Sequence, residues 1–206
     1  MTEGEARTWV RERFGVSRET AVAAFVDLVV AESERQNLIS KATLEVVWLR
    51  HILDSAQLID LVPRNTRPGP WVDIGTGAGF PGMVVALLTD QPVMLVEPRR
   101  KRAEFLQGAA QHLGIADRVQ VHAQKVEQIN ADASVISARA VAPLPELLGS
   151  ARHISSRSTV WLLPKGINAR EEVEAARRTW HGSFHVEHSV TQPGSLIIIA
   201  TDVSPR

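Results

Sequence analysis

Apolar positions fall into two regimes along the chain. Over residues 5–60 they recur at helical spacing. Ser17-Arg-Glu-Thr reads as a helix start, followed by a stripe of Ala21, Phe25, Leu28 and Val29 that fades near Gln36-Asn37. A second helix carries Leu44, Val47, Trp48, His51, Ile52 and Ser55 along one side. Residues 61–70 hold three prolines and read as a linker. The chain therefore divides into an N-terminal helical extension, 1–66, packed on a second unit, 67–206. Beyond the linker, short apolar runs alternate with helical patterns. The runs at 71–74, 93–97, 118–123, 133–137, 158–163, 183–190 and 195–201 predict strands. Helices are expected at about 81–89, 100–113, 143–153 and 168–180.

Strands alternating with helices predict βαβ units, hence a parallel sheet with helices on both faces. The last two strands break this rule. Only Thr191-Gln-Pro-Gly194 joins them, too short for a parallel crossover, so they form an antiparallel hairpin.

Composition removes whole classes of function. Hydrophobic residues make up 44% and charged residues 22% of the 206, the balance of a folded soluble protein. Lys plus Arg and Asp plus Glu stand at 23 each, so a nucleic-acid partner would have to be met by a local patch. With no cysteine there are no disulfides or thiolate metal sites, which suits a reducing compartment. No apolar run is long enough to span a bilayer, and the charged N-terminus is no signal peptide. A cytoplasmic protein is expected.

The chemistry is concentrated in Trp71-Val-Asp-Ile-Gly-Thr-Gly-Ala-Gly-Phe-Pro-Gly82. An apolar run ends in Asp73, glycines follow at every second position, and Pro81 suits the first position of a helix. Such a strand–turn–helix brings bare backbone to a ligand at a strand end. Two fingerprints overlap. Gly77-Ala-Gly79-Phe-Pro-Gly82 fits the dinucleotide pattern and Asp73-Ile-Gly75-Thr-Gly77-Ala-Gly79 the S-adenosylmethionine pattern, with Glu97 at the next strand end placed for ribose hydroxyls in either case. No Gly-Lys-Ser/Thr of a nucleoside triphosphatase occurs. The terminal hairpin decides between the two. A seven-stranded sheet with an antiparallel last strand, preceded by N-terminal helices, resembles the Rossmann-like class I S-adenosylmethionine-dependent methyltransferases. In such an enzyme Asp73 would hold the methionine end, Gly75 and Gly77 would underlie the nucleoside, and Glu97 would take the ribose.

Several further segments occur together and in order: Asn37-Leu-Ile-Ser40, Arg50-His-Ile-Leu-Asp-Ser55, Gly75–Gly82, Lys101-Arg102, Ser137-Ala-Arg-Ala-Val-Ala-Pro143 and Leu163-Pro-Lys-Gly166. Over about residues 35–166 they resemble the RsmG (GidB) family. The resemblance implies methyl transfer from S-adenosylmethionine to N7 of a guanine in the 530 loop of 16S ribosomal RNA. The RNA would be met naked, in an assembly intermediate or in the small subunit. The resemblance further places cofactor contacts on Gly75, Phe80, Val126, Glu127 and Arg139, and RNA-binding or catalytic roles on Lys101, Lys125 and Lys165. Phe80 is then a cofactor contact rather than core filling. Glu97 stands where the family often has aspartate. A methyltransferase for another substrate, or a cofactor-binding RNA module without turnover, remains the alternative.

Guanine N7 carries a free lone pair, so no general base is needed, and catalysis would be positioning, with Arg139 and Lys165 as positioning residues. Arg139 suits a phosphate or the methionine carboxylate. For RNA, Arg99-Arg100-Lys101-Arg102 is the densest basic run, beside the Glu97 strand end, and four cations there oppose the helix dipole unless phosphates compensate. His51 and Asp54, three apart, read equally as a helix-surface pair or as substrate-facing, and Arg50 shares that ambiguity. His181, His185 and His188 straddle a strand and point to opposite faces, so no metal site is expected. Trp9, Trp48, Trp161 and Trp180 read as core.

Overall fold

In the computed structural model, which describes residues 1–206, seven strands form one sheet. They are β1 (Trp71–Ile74), β2 (Val93–Val96), β3 (Val119–His122), β4 (Val135–Ala138), β5 (Val160–Lys165), β6 (Trp180–His188) and β7 (Leu196–Pro205). Their order is β3-β2-β1-β4-β5-β7-β6. The first five run parallel, and β7 lies antiparallel between β5 and β6. The hairpin expectation holds. Its insertion beside β5 is what places the β6–β7 loop near the C-terminal ends of the parallel strands.

Side chains alternate across the sheet and feed two cores, as the period of two requires. Trp71, Val135, Val160 and Leu162 face one side, where α1 (Glu3–Phe14), α2 (Val16–Ser33), α5 (Gly82–Leu88) and α6 (Arg100–His112) bury Val10, Phe25, Met83 and Leu106. Val72, Ile136, Trp161 and Ile198 face the other, beneath α7 (Leu144–Ser150) and α8 (Ala169–Ala176). The N-terminal helices thus share a hydrophobic core with one face of the sheet. No helix is long and apolar enough to cross a membrane.

The N-terminal region is less regular than its apolar stripe predicts. Gly15 interrupts it, with a φ of 87° that admits a sharp turn between α1 and α2, so α2 begins at Val16. The second predicted helix breaks into α3 (Lys41–Leu44), a π-helical turn (Trp48–Leu53) and α4 (Asp54–Asp60). The Glu3 carboxylate accepts the backbone N–H groups of Trp48 and Leu49 at 2.9 and 2.7 Å, capping the π turn from another helix. A single π turn rotates the side chains that follow it, and such turns are frequent at functional sites. Trp48 and Trp161 are buried, while Trp9 and Trp180 are partly buried against the cores.

Candidate active site

The residues of interest sit at the C-terminal ends of β1, β2, β4 and β5, where parallel sheets open into a cleft. The glycine turn follows β1. Gly75 and Gly77 take φ of 65° and 61°, a region that side chains resist, and a Cβ on Gly75 would lie 2.6 Å from Val141 Cγ2. Pro81 stands one place before the helix, joined to Phe80 by a cis peptide, and Gly82 is the first helical residue. The reason lies underneath. Asp73 Oδ2 accepts the Gly82 N–H at 2.9 Å, and Oδ1 accepts the Ser137 hydroxyl at 2.6 Å. Trp71 Nε1 donates in turn to Ser137 Oγ at 2.8 Å. Register makes this arrangement, because Asp73 pairs with Ser137 across β1 and β4. Asp73 is fully buried, and burial pushes its carboxyl up to about 6. Both oxygens of Asp73 are engaged below the turn, and its work is to fasten β4 and the start of α5 to β1.

Glu97 performs a similar fastening one strand over. One oxygen accepts the Gly77 N–H and the other the Arg99 N–H, both at 2.9 Å. Each oxygen keeps a lone pair, so acceptance of ribose hydroxyls stays open to it. A cleft of about 450 Å³ runs beside the turn, between Gly75, Val96, Lys125, Val126, Glu127 and Val141. The predicted nucleoside contacts Gly75, Val126 and Glu127 thus share one wall. A second cleft, of about 440 Å³, lies on the far side of Val141 and Ala142, which line both. Its walls include Asp54, Arg139, Lys165, Glu172 and Ser195.

Arg139, directly after β4, is held by residues nearly ninety positions away. Its guanidinium donates to the Arg50 carbonyl at 3.2 Å, to Asp54 Oδ2 at 3.3 Å and to His51 Nδ1 at 2.9 Å. Guanidinium only donates, so His51 Nδ1 is an acceptor and the ring proton sits on Nε2. Burial first, then the charges of Arg139 and Arg50, pull His51 down to about 3, so it stays neutral. Burial raises Asp54 above its ordinary value, and Arg139 opposes that rise. Phe80 lies beneath this group, stacked on His51 with ring centroids 4.9 Å apart, edge-on to Phe25, and under the Arg139 cation at 5.5 Å. Phe80 is buried in the core, and its ring supports the Arg139 guanidinium. His51 and Asp54 do not form a surface pair either, because the π turn aims both inward. Arg50 instead reaches Gln192 in the β6–β7 loop.

This sheet, these strand-end residues and the paired clefts can be set against known proteins. A family profile described as GidB, rRNA small subunit methyltransferase G, matches residues 18–195. The chain belongs to this family. It is 48% identical over 208 residues to the ribosomal RNA small subunit methyltransferase G of Rhizorhabdus wittichii, covering 100% of this chain and 95% of that protein. To the protein of the same name from Zymomonas mobilis it is 45% identical, covering 100% and 96%. Among solved structures, a methyltransferase from Geobacter sulfurreducens superposes with a TM-score of 0.57 at 15% identity, covering 88% of each chain, a likeness of fold. The fold is that of the class I methyltransferases.

The basic residues expected from the GidB resemblance divide into two groups. Arg99, Arg100, Lys101 and Lys125 are exposed, with Arg100 paired to Glu104 at 2.7 Å and Arg102 donating to the Asn37 carbonyl at 2.9 Å. Lys165 is different. Its ammonium donates to the Ala142 carbonyl at 2.8 Å and to Glu172 Oε2 at 2.7 Å, and its side chain is 9% exposed. It braces the cleft between β5, α8 and the β4–α7 loop. Glu172 is the residue that the sequence reading missed. Its seven-residue separation from Lys165, across a strand–helix connection, was the available signal. His181 and His188 make no side-chain hydrogen bond, and His185 pairs with Glu187 at 2.8 Å.

Proposed function

We propose that this chain transfers a methyl group from S-adenosylmethionine to N7 of a guanine in the 530 loop of 16S ribosomal RNA. The names of its GidB relatives support a ribosomal RNA substrate for this chain. The observation that carries the reading is the pair of clefts that meet at Val141 and Ala142, one beside the glycine turn and the other lined by Arg139 and Lys165. On the side of the second cleft, His51 is neutral with its acceptor nitrogen occupied, and Asp54 is bonded to Arg139. An amine or hydroxyl nucleophile must shed a proton and calls for a base. An aromatic nitrogen with a free lone pair does not.

The cleft beside the glycine turn suits the cofactor. Gly75 has no Cβ there because one would collide with Val141, and the Glu97 oxygens retain lone pairs for ribose hydroxyls. Val96 and Val126 would flank the adenine, with Glu127 and the backbone at its edge. When bound, S-adenosylmethionine supplies an electrophilic methyl group on a sulfonium. The second cleft would take the base, with Val141 and Ala142 forming the wall where the two ligands meet. Arg139 is held in place before substrate arrives, so it can meet a phosphate or the methionine carboxylate without reorganising. Arg99, Arg100, Lys101 and Lys125 would meet the RNA backbone outside the clefts, with 16S RNA in the cytoplasm presented free, in an assembly intermediate or in the small subunit. Incubation with radiolabelled S-adenosylmethionine and purified 16S and 23S RNA tests this reading. Label should enter 16S RNA, and label in neither RNA nor in small-subunit particles would refute it.

A further inference from the structure

N7 has the same lone pair in guanine and adenine, so the reaction itself cannot tell the purines apart. The difference lies on the opposite edge, where guanine presents N1–H and an exocyclic amine as neighbouring donors and adenine presents an acceptor nitrogen. A site that selects guanine needs a hydrogen-bond acceptor with capacity to spare. The base cleft holds two carboxylates, and one of them is engaged on both oxygens. Asp54 Oδ2 accepts from Arg139, and Oδ1 accepts from Gln57 at 3.1 Å and from Ser189 at 3.5 Å. Glu172 is bonded on one side only. Its Oε2 takes the Lys165 ammonium at 2.7 Å and the Leu144 N–H at 2.8 Å, while Oε1 accepts from nothing in the chain. Two contacts from two separate elements fix the carboxylate, so Oε1 is oriented before any ligand enters.

We propose that Glu172 Oε1 reads the N1–H and N2–H edge of the target guanine and is the specificity-determining residue of the base cleft. The proposal rests on the guanine reading given above. An oxygen with two lone pairs can accept both donors. The contact also strengthens as the reaction proceeds. Methylation at N7 makes the ring cationic and N1–H a better donor, so the carboxylate interacts more strongly with the transition state than with the ground state. Lys165 then acts through Glu172, as a positioning residue.

The test uses 16S RNA assembled by ligation with either guanosine or inosine at the methylated position. Inosine keeps N7, O6 and N1–H and lacks the exocyclic amine. For the native protein, kcat/KM on inosine should fall roughly 10-fold, the effect of one lost hydrogen bond to a charged group. E172Q should lower kcat/KM on guanosine by about 10- to 100-fold, mainly through kcat, and bring the guanosine-to-inosine ratio to within about 2-fold of unity. Calorimetric affinity for S-adenosylmethionine should be unchanged in E172Q, which reports an intact fold. Equal use of the two RNAs by the native protein overturns the proposal without recourse to any variant, as does a ratio in E172Q equal to that of the native protein. Failure of the parent reading looks different: the native protein would then methylate neither RNA, and both readings fall together.

Discussion

Arg139 joins the sheet to the π turn, so its removal should be felt in both stability and turnover. Arg139→Ala strips a donor from His51 and from the Arg50 carbonyl, takes a cation off the Phe80 ring, and leaves Asp54 without its counter-charge. Losing one partner of a fully buried pair costs about 3–5 kcal/mol. Here the Arg139 and Asp54 side chains are 23% and 15% exposed, and Asp54 keeps Gln57 and Ser189 as partners. The expected loss is nearer about 2 kcal/mol, a fall in midpoint of roughly 4–8 °C for a chain of this size. Much of it is the penalty of an unpaired, desolvated carboxylate. Asp54→Asn in the same background should therefore restore about 1 kcal/mol. Urea unfolding of the native protein, both single variants and the double variant closes this cycle. A coupling energy below about 0.5 kcal/mol would refute the view that Arg139 and Asp54 hold each other in place. Turnover provides the second reading. The Arg139→Ala variant, assayed well below its unfolding midpoint, should lose methyl transfer at saturating RNA, and full turnover would remove Arg139 from the site.

Asp73 should give the protein a distinctive pH dependence. Its carboxyl, lifted by burial from 3.8 to about 6, binds a proton in the folded chain that the unfolded chain releases, so stability falls as pH rises between those values. The full effect is about 3 kcal/mol, and D73N should abolish that slope; parallel stability curves for the two proteins from pH 4 to 7 would contradict it. Gly82→Ala should destabilise by about 1–3 kcal/mol, because its methyl group would meet Leu95 and lie 2.8 Å from the Asp73 Cβ. An unchanged denaturation midpoint would show that the turn has room to move. Replacing Arg99 and Lys101 together by alanine should weaken RNA binding and flatten the slope of log affinity against log salt by about 1.5, measured by filter binding. A slope equal to that of the native protein would remove these two cations from the RNA surface.

The parallel strands were legible because they are buried on both faces. Trp71-Val-Asp-Ile, Val93–Val96 and Val135–Ala138 read as near-continuous apolar runs, and their order against the helices allowed few topologies. The hairpin was legible from loop length alone. Ends were less so. The helix expected at 168–180 stops at Ala176, and β6 begins at Trp180, paired with Pro205, a partner 25 residues on that no local pattern reveals. The site divides along the same line. Gly75, Glu97 and Arg139 carry their placement in the motif, since each stands at or just beyond a strand end. Phe80, His51 and Asp54 took roles that spacing did not suggest, because those roles depend on Arg139 reaching across 85 to 88 residues and on a π turn that helical periodicity does not encode. Asp73 looked like a ligand because acids after a strand often are. The register with Ser137 adds a role that the motif does not reveal, the fastening of β4 to β1.

The central claim is that the two clefts meeting at Val141 and Ala142 deliver a methyl group to one guanine nitrogen. Mass mapping of nuclease fragments from 16S RNA, compared between cells with and without this gene, addresses it most directly. The account predicts that one 530-loop fragment is lighter by a single methyl group in the deletion strain, with the lost modification at guanine N7 and restored by the native chain. A 530-loop fragment of identical mass in both strains, or a lost methyl group on ribose or on an exocyclic amine, would contradict it.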